Sequence, residues 1–279
     1  MEIFRTRKEL SEYLLLRNQS NKVCGLVPTM GALHNGHLSL IEAASRESDY
    51  VVCSIFVNPT QFNDLKDLEK YPKPIEQDIH KLRSVNCDVL FLPETSEIYS
   101  EDERWHVDLG TLDKSLEGVL RPGHYQGVTQ IVKKLFDIIN PGKAYFGQKD
   151  YQQFLVIARM VKIFNLGVQL VMCPIVREVD GLAMSSRNIH LSTENRQNAL
   201  ALNKALLLAK QNFNDKTIGE LEESAKLYLS GISGLGLDYF SICDSETLQK
   251  AKTKDASGLV ALVAAKVGST RLIDNIILS

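Results

Sequence analysis

The chain has 279 residues, of which 44% are hydrophobic and 24% charged. That suffices for one large or two modest domains and excludes a wholly disordered or fibrous chain. With 32 basic residues against 34 acidic, the net charge of -2 marks neither nucleic acid nor a membrane surface as the main partner.

The five cysteines, Cys24, Cys53, Cys87, Cys173 and Cys243, form no CxxC pair, which argues against a disulfide framework or a zinc ribbon. The opening MEIFRTRKEL has no apolar signal core, and the apolar run 259–265 falls far short of a bilayer span. A soluble, cytoplasmic protein is expected.

Taken in chain order, short β-branched, apolar runs stand at 22–27, 50–57, 89–92, 144–146 and 169–175. They read as buried parallel strands. Helical spacing lies between them at 38–48, 75–85, 127–139 and 152–164. The alternation predicts an α/β fold with an open parallel sheet and right-handed crossovers. After Pro174 the texture changes. A helix is predicted over 192–213, with Ser192 as N-cap and Leu200, Leu206, Leu207 and Ala209 as its apolar face. A second helix follows over 217–229, then strands over 237–243, 259–267 and 271–277, the last two joined by a turn at 268–270. The predicted domains are 1–175 and a smaller α+β domain, 176–279.

Five segments could carry chemistry. In VPTMGALHNGHLSL, residues 27–40, a strand gives way through a Gly-containing turn to a helix, with His34 and His37 across its entrance. The unpaired N–H groups of a helix start suit a phosphate, and two imidazoles there can donate to phosphoryl oxygens. The spacing resembles a P-loop, but His37 and Leu38 stand where Lys and Ser/Thr belong, and no GxGxxG occurs. FGQKDYQQ, 146–153, again follows a strand, and offers Lys149 to phosphate charge and Gln153 to a polar substrate. MSSRN, 184–188, sets two hydroxyls beside a guanidinium, a set of groups suited to phosphate. NPTQF, 58–62, presents Gln61, and RPGHY, 121–125, presents Arg121 to an anion. Each segment alone also reads as an ordinary loop or helix cap.

Together, PTMGALHNGH, NPTQF, RPGHYQGV, FGQKDYQQ and DGLAMSSRN, in that order, resemble the pantoate–β-alanine ligase family of the HxGH nucleotidyltransferase superfamily, over essentially the whole chain. The resemblance implies a Rossmann-like N-terminal domain, a smaller C-terminal lid domain and a homodimer. It implies ATP-dependent condensation of pantoate with β-alanine through a pantoyl-adenylate, with Mg2+. It places Met30, Gly31, Ala32, Leu33, His34, Asn35, Gly36 and His37 along the ATP site, with His37 as proton donor. Gly147, Gln148, Lys149 and Asp150 match a further ATP-binding segment, and Val176, Met184, Ser185, Ser186 and Arg187 match additional ATP contacts. Gln61 and Gln153 match pantoate-binding positions, Gln61 lies near the β-alanine path, and Arg121 matches a basic residue near the site. The catalytic set is then His37, His34 and Lys149.

The chain departs from the family pattern in places. Gln148 stands where Glu is frequent and Thr60 where Met is common. Asp78 is the one candidate metal position in a segment where relatives carry several acids. Three other readings share parts of the pattern. A nucleotidylyltransferase would release a nucleotidylated product without needing an amine. A class I tRNA synthetase fragment would want a Lys-rich loop, which MSSR does not supply. A non-catalytic nucleotide sensor would not need the His34, His37, Lys149 and Arg187 set.

Overall fold

The computed structural model describes residues 1–18, 22–63, 65–100, 103–255 and 258–279. By contact the chain divides into two units, Met1–Gly147 with Gln153–Pro174, and Gln148–Gln152 with Ile175–Ser279.

The first unit runs β1 (Glu2–Phe4), α1 (Arg7–Asn18), β2 (Cys24–Thr29), α2 (Asn35–Glu47), β3 (Tyr50–Ile55), α3 (Leu65–Lys70), α4 (Ile75–Ser84), β4 (Val89–Phe91), α5 (Thr95–Ile98), α6 (Glu117–Leu120), α7 (His124–Ile139), β5 (Lys143–Gly147), α8 (Tyr151–Ile163) and β6 (Gln169–Cys173). Its six strands pair in the order β1-β4-β3-β2-β5-β6, all parallel. Chain order reverses between β2 and β5. Such a reversal opens a crevice outside the carboxyl ends of the strands, where ligands bind in open α/β sheets.

The inner strands are buried on both faces, which is why they read as continuous apolar runs. Successive residues alternate between two cores. Leu26, Val52, Phe91 and Phe146 face α1, α7 and α8, through Leu10, Ile131, Leu135 and Ile157. Val27, Val51, Leu90 and Tyr145 face α2 and α4, through Leu40, Ile41, Ile79 and Leu82. Each fully buried aliphatic or aromatic side chain contributes about 1.5–3 kcal/mol. Two elements escape the sequence pattern. β1 is a three-residue edge strand beside β4, too short for a period to show, and α1 opens with charged residues. β2 also runs on to Thr29. Pro28 is tolerated there because β5 pairs with β2 only at Gly25 and Leu26.

The second unit contains α9 (Thr193–Gln211), α10 (Ile218–Ser230), β7 (Leu235–Asp244), β8 (Leu259–Val267) and β9 (Thr270–Ile277). The strands form an antiparallel sheet in the order β7-β8-β9, with a two-residue turn between Val267 and Thr270 in which Gly268 has φ +60°. Ser192 caps α9 by accepting from the Asn195 N–H at 3.2 Å. Thr217 and Glu220 exchange the two bonds of a capping box at the start of α10. The packed face of α9 is Ala199, Leu202, Ala205, Leu206 and Ala209. Leu207, expected on that face, is 41% exposed. At 100° per residue the run 206–208 cannot turn all three leucines inward, and the i, i+3, i+4 stripe selects Leu206.

Candidate active site

The carboxyl end of β2 leads into a strained turn. Thr29 Oγ1 donates to the Ser54 carbonyl at 2.8 Å and accepts from the Gly31 N–H at 3.2 Å. Gly31 then has φ +80° and Ala32 φ +51°, and a left-handed non-glycine residue costs about 1–3 kcal/mol. A Cβ on Gly31 would stand 3.0 Å from Ile55 Cγ2 and 3.1 Å from Asp78 Oδ2, so the position takes glycine on both grounds.

Helix α4 holds this turn. Asp78 Oδ2 accepts from the Ala32 N–H and Oδ1 from the Leu33 N–H, each at 2.8 Å, while Lys81 Nζ donates to the Leu33 carbonyl at 2.6 Å. Asp78 is 0% exposed. Burial pushes its carboxyl above the usual range, opposed by the two N–H donors and the nearby Lys81 cation. Both oxygens of Asp78, the expected metal position, thus accept from backbone N–H groups of the turn. Among the described residues no group of three His, Cys, Asp or Glu stands together to hold a metal ion.

Directly after the anchored turn, His34 takes the N-cap position of α2 in extended conformation. Its N–H donates to His37 Nδ1 at 3.3 Å, and the two rings lie 4.0 Å apart between centroids. A neutral imidazole that accepts at Nδ1 carries its proton on Nε2. Met30, Gly31, Ala32, Leu33, His34, Asn35, Gly36 and His37 are thus one continuous strand-end, turn and helix start.

Gln61 sits in a short helical turn, Pro59–Gln61, and is 8% exposed. Its Nε2 donates to Met30 Sδ at 3.0 Å and its Oε1 accepts from Asn58 Nδ2 at 3.1 Å. Asn58 Nδ2 also donates to the Gly127 carbonyl, and Asn58 Oδ1 accepts from Tyr99 Oη at 2.6 Å. Burial pushes the Tyr99 phenol up to about 12, so it remains a donor at neutral pH. Gly127 lets α7 lie against this turn, since a Cβ there would come to 2.4 Å from the Thr60 carbonyl. His124 Nδ1 lies 2.8 Å from the Gln61 carbonyl. Arg121, half-buried, closes α6 by donating its N–H to the Glu117 carbonyl. Gln153 is half-buried in the first turn of α8. Beside Met30 opens a cleft of about 480 Å³, lined by Ile55, Val57, Ile75, Leu92 and Pro93 together with the polar Lys73, Glu94, Thr95 and Ser96.

In the second unit, Gln148–Asp150 form a single helical turn after Gly147. Lys149 is half-buried, 3.7 Å from Asp150 Oδ1. Val176 and Met184 lie at the base of a tight loop. The Met184 N–H donates to the Val176 carbonyl at 3.0 Å, Arg177 pairs with Ala183, and Gly181 turns at φ +94°. Ser185 Oγ accepts from the Arg187 N–H at 3.3 Å and caps the turn Ser186–His190. Ser185 and Ser186 are half-buried and Arg187 is exposed.

Several of these supporting residues escaped the sequence reading. Asn58 was visible inside NPTQF. His124 was likewise visible inside RPGHY, whereas Tyr99 carries no local signal.

The family profile described as pantoate-beta-alanine ligase matches residues 2–277. The chain is 46% identical to the pantothenate synthetase of Thermotoga petrophila over 280 residues, covering 100% of both chains. It is 42% identical to that of Bacteroides fragilis, covering 99% and 98%. The crystal structure of pantothenate synthetase from Thermus thermophilus superposes with a TM-score of 0.94 at 40% identity, covering 100% of this chain and 99% of that one. The pantoate-beta-alanine ligase of Francisella tularensis, solved complexed with beta-gamma ATP and beta-alanine, superposes with a TM-score of 0.81 at 36% identity, covering 100% and 98%. With end-to-end agreement at these identities, the chain belongs to the pantoate-beta-alanine ligase family.

Proposed function

We propose that the protein joins pantoate to β-alanine at the expense of ATP through a pantoyl-adenylate. The observation that carries this reading is the anchored His34–His37 pair at the start of α2, at the strand-order reversal, in a chain of this family. A carboxylate oxygen of pantoate attacks the α-phosphorus. The bond to the bridging oxygen of the β-phosphate breaks, and pyrophosphate leaves with the electron pair. In the second step the amine lone pair of β-alanine attacks the acyl carbonyl, AMP departs as the phosphate monoester, and the nitrogen loses a proton.

The first step needs positioning and neutralisation of charge more than covalent help. We assign neutralisation to the N–H groups opening α2, to His34 and His37, and to Lys149. His37 Nε2–H is the proton donor. Ser185, Ser186 and Arg187 are assigned to the phosphates of ATP, with Gly147, Gln148, Asp150, Val176 and Met184 as further nucleotide contacts. Gln61 and Gln153 are assigned to pantoate, Gln61 also to β-alanine, and Arg121 to an accessory anion contact. The Ile55, Val57 and Leu92 side of the cleft beside Met30 suits the geminal methyl groups of pantoate, and Lys73, Thr95 and Ser96 on its lining suit polar groups. Mg2+ would enter with ATP and supply positive charge at the phosphates. A homodimer acting in the cytoplasm completes the reading. Among the described residues no helix is long and apolar enough to cross a membrane.

ATP–pyrophosphate exchange tests the first step. Exchange that requires pantoate, followed by AMP release on adding β-alanine, is the expected result. Exchange with no amine-dependent step would replace the ligase with a nucleotidylyltransferase. ATP binding without exchange would leave only a nucleotide sensor. Within the same assay Gln61→Ala should raise the pantoate KM.

A further inference from the structure

We propose that Asp274 and Asn275, adjacent on β9, are positioning residues that hold both nucleotide segments of the second unit in register. The proposal rests on the assignment of Gln148–Asp150, Val176 and Met184–Arg187 to ATP.

The two side chains are 4% and 2% exposed, and neighbouring residues on a strand point to opposite faces. Asp274 shares its parity with Leu272 and Ile276, which pack with the helices. There it meets Arg177 in a two-pronged pair. Nη1 donates to Oδ2 at 2.7 Å and Nη2 to Oδ1 at 3.0 Å. Arg177 Nη1 also donates to the Gly181 carbonyl at 3.2 Å, so one guanidinium closes the loop that carries Met184 to Arg187. Asn275, on the other face, addresses the other segment. Its Nδ2 donates to the Gln148 carbonyl at 2.9 Å and to the Lys149 carbonyl at 3.0 Å, and its Oδ1 accepts from Gln148 Nε2 at 3.1 Å.

Buried polar side chains are costly unless satisfied, and an apolar pair would fill the same strand positions without that risk. Here three hydrogen bonds of Asn275 go to one turn, and both oxygens of Asp274 go to one arginine. Fixing the Lys149 carbonyl fixes the direction in which its side chain leaves the backbone. Fixing Arg177 sets its pairing with Ala183, and with it the start of the 184–187 segment. One dipeptide therefore sets the spacing between the proposed ammonium and guanidinium ligands of ATP.

The test compares Asn275→Ala, Asn275→Ser, Asp274→Asn and Lys149→Ala in the full chain, with activity expressed per folded molecule. Misplacement of a binding group by about 1 Å costs up to ~100-fold. Asn275→Ala and Asp274→Asn should therefore lose about 10- to 100-fold in kcat/KM for ATP in the exchange reaction, with the pantoate KM within about twofold of wild type. Asn275→Ser, which keeps one donor, should recover part of the loss. Amide hydrogen exchange in 147–150 should quicken in Asn275→Ala while α9 and α10 keep their protection. A purely structural role would lower the folded fraction and leave the ATP KM unchanged. Wild-type ATP kinetics per folded molecule in Asn275→Ala and Asn275→Ser, with Lys149→Ala impaired, would overturn the proposal. Wild-type kinetics in Lys149→Ala would remove the ATP assignment itself, and the proposal with it.

Discussion

Each unit anchors its candidate site with one buried aspartate, and the two do so by different chemistry. Asp78 accepts only from backbone N–H groups of the turn before α2, with Lys81 alongside on the Leu33 carbonyl. Asp274 is met by an arginine side chain, a quarter exposed, beside one backbone N–H, that of Asn275. Both carboxyls are raised by burial, and for Asp274 the Arg177 cation opposes the rise. The first arrangement fixes a backbone shape. The second joins separate segments through a charge pair. Losing the first carboxylate leaves two N–H groups unmet, and losing the second leaves a cation without its counter-charge. The penalties should differ accordingly.

A large loss of stability is expected at the charge pair. Asp274→Ala should cost about 3 kcal/mol, the lower end of the ~3–5 kcal/mol range for breaking one side of a buried pair, because Arg177 retains some water. Urea unfolding reads this directly, and a loss below ~1 kcal/mol would make the pair no stronger than an exposed one. Next comes His37→Ala, which the anchored turn exists to orient. It should lower kcat about 100- to 1000-fold, or ~2.7–4 kcal/mol of barrier, with little change in unfolding free energy. Wild-type turnover would sink its assignment. Asp78→Asn comes third. An amide cannot accept from both N–H groups, so about 1–3 kcal/mol of stability should go, with reduced exchange activity at full folding.

That variant also carries a pH signature. A carboxyl raised by folding keeps its proton in the folded state at pH values where the unfolded chain, near 3.9, has lost it. Its contribution to stability therefore grows as pH falls from the raised value through that window. The stability gap between wild type and Asp78→Asn should widen on acidification, and a gap that narrows would contradict the burial of this group. The smallest effect tests α9. Leu207→Gln should fall within about 0.5 kcal/mol of wild type, whereas Leu206→Ala should cost about 2–5 kcal/mol.

The alternating half was readable because parallel strands buried on both faces leave uninterrupted apolar runs, as at Tyr50–Ile55. β1 was not, since three residues carry no period. The motifs around His34, Lys149 and Ser185 were readable as local patterns. What holds them was not. Asp78 stands 45 positions from the Leu33 N–H it binds, and Asn275 stands 127 from Gln148. Such pairings follow from strand order and helix packing, and neither leaves a mark at the residues concerned. Leu207 shows the converse, a local leucine run whose inward share is set by helix phase.

The assignment of Gln148–Gln152 to the second unit bears on how this chain can be recombined. The segment continues β5 and opens α8, yet its hydrogen bonds run to Asn275 and, through Tyr151 Oη, to the Ser245 carbonyl. The border between units is thus crossed three times by one polypeptide. A chimaera that exchanges only 175–279 between relatives would pair one parent's β9 with the other's 148–152 turn. A transplant that respects the physical border takes both pieces, Gln148–Gln152 and Ile175–Ser279, as a single discontinuous module.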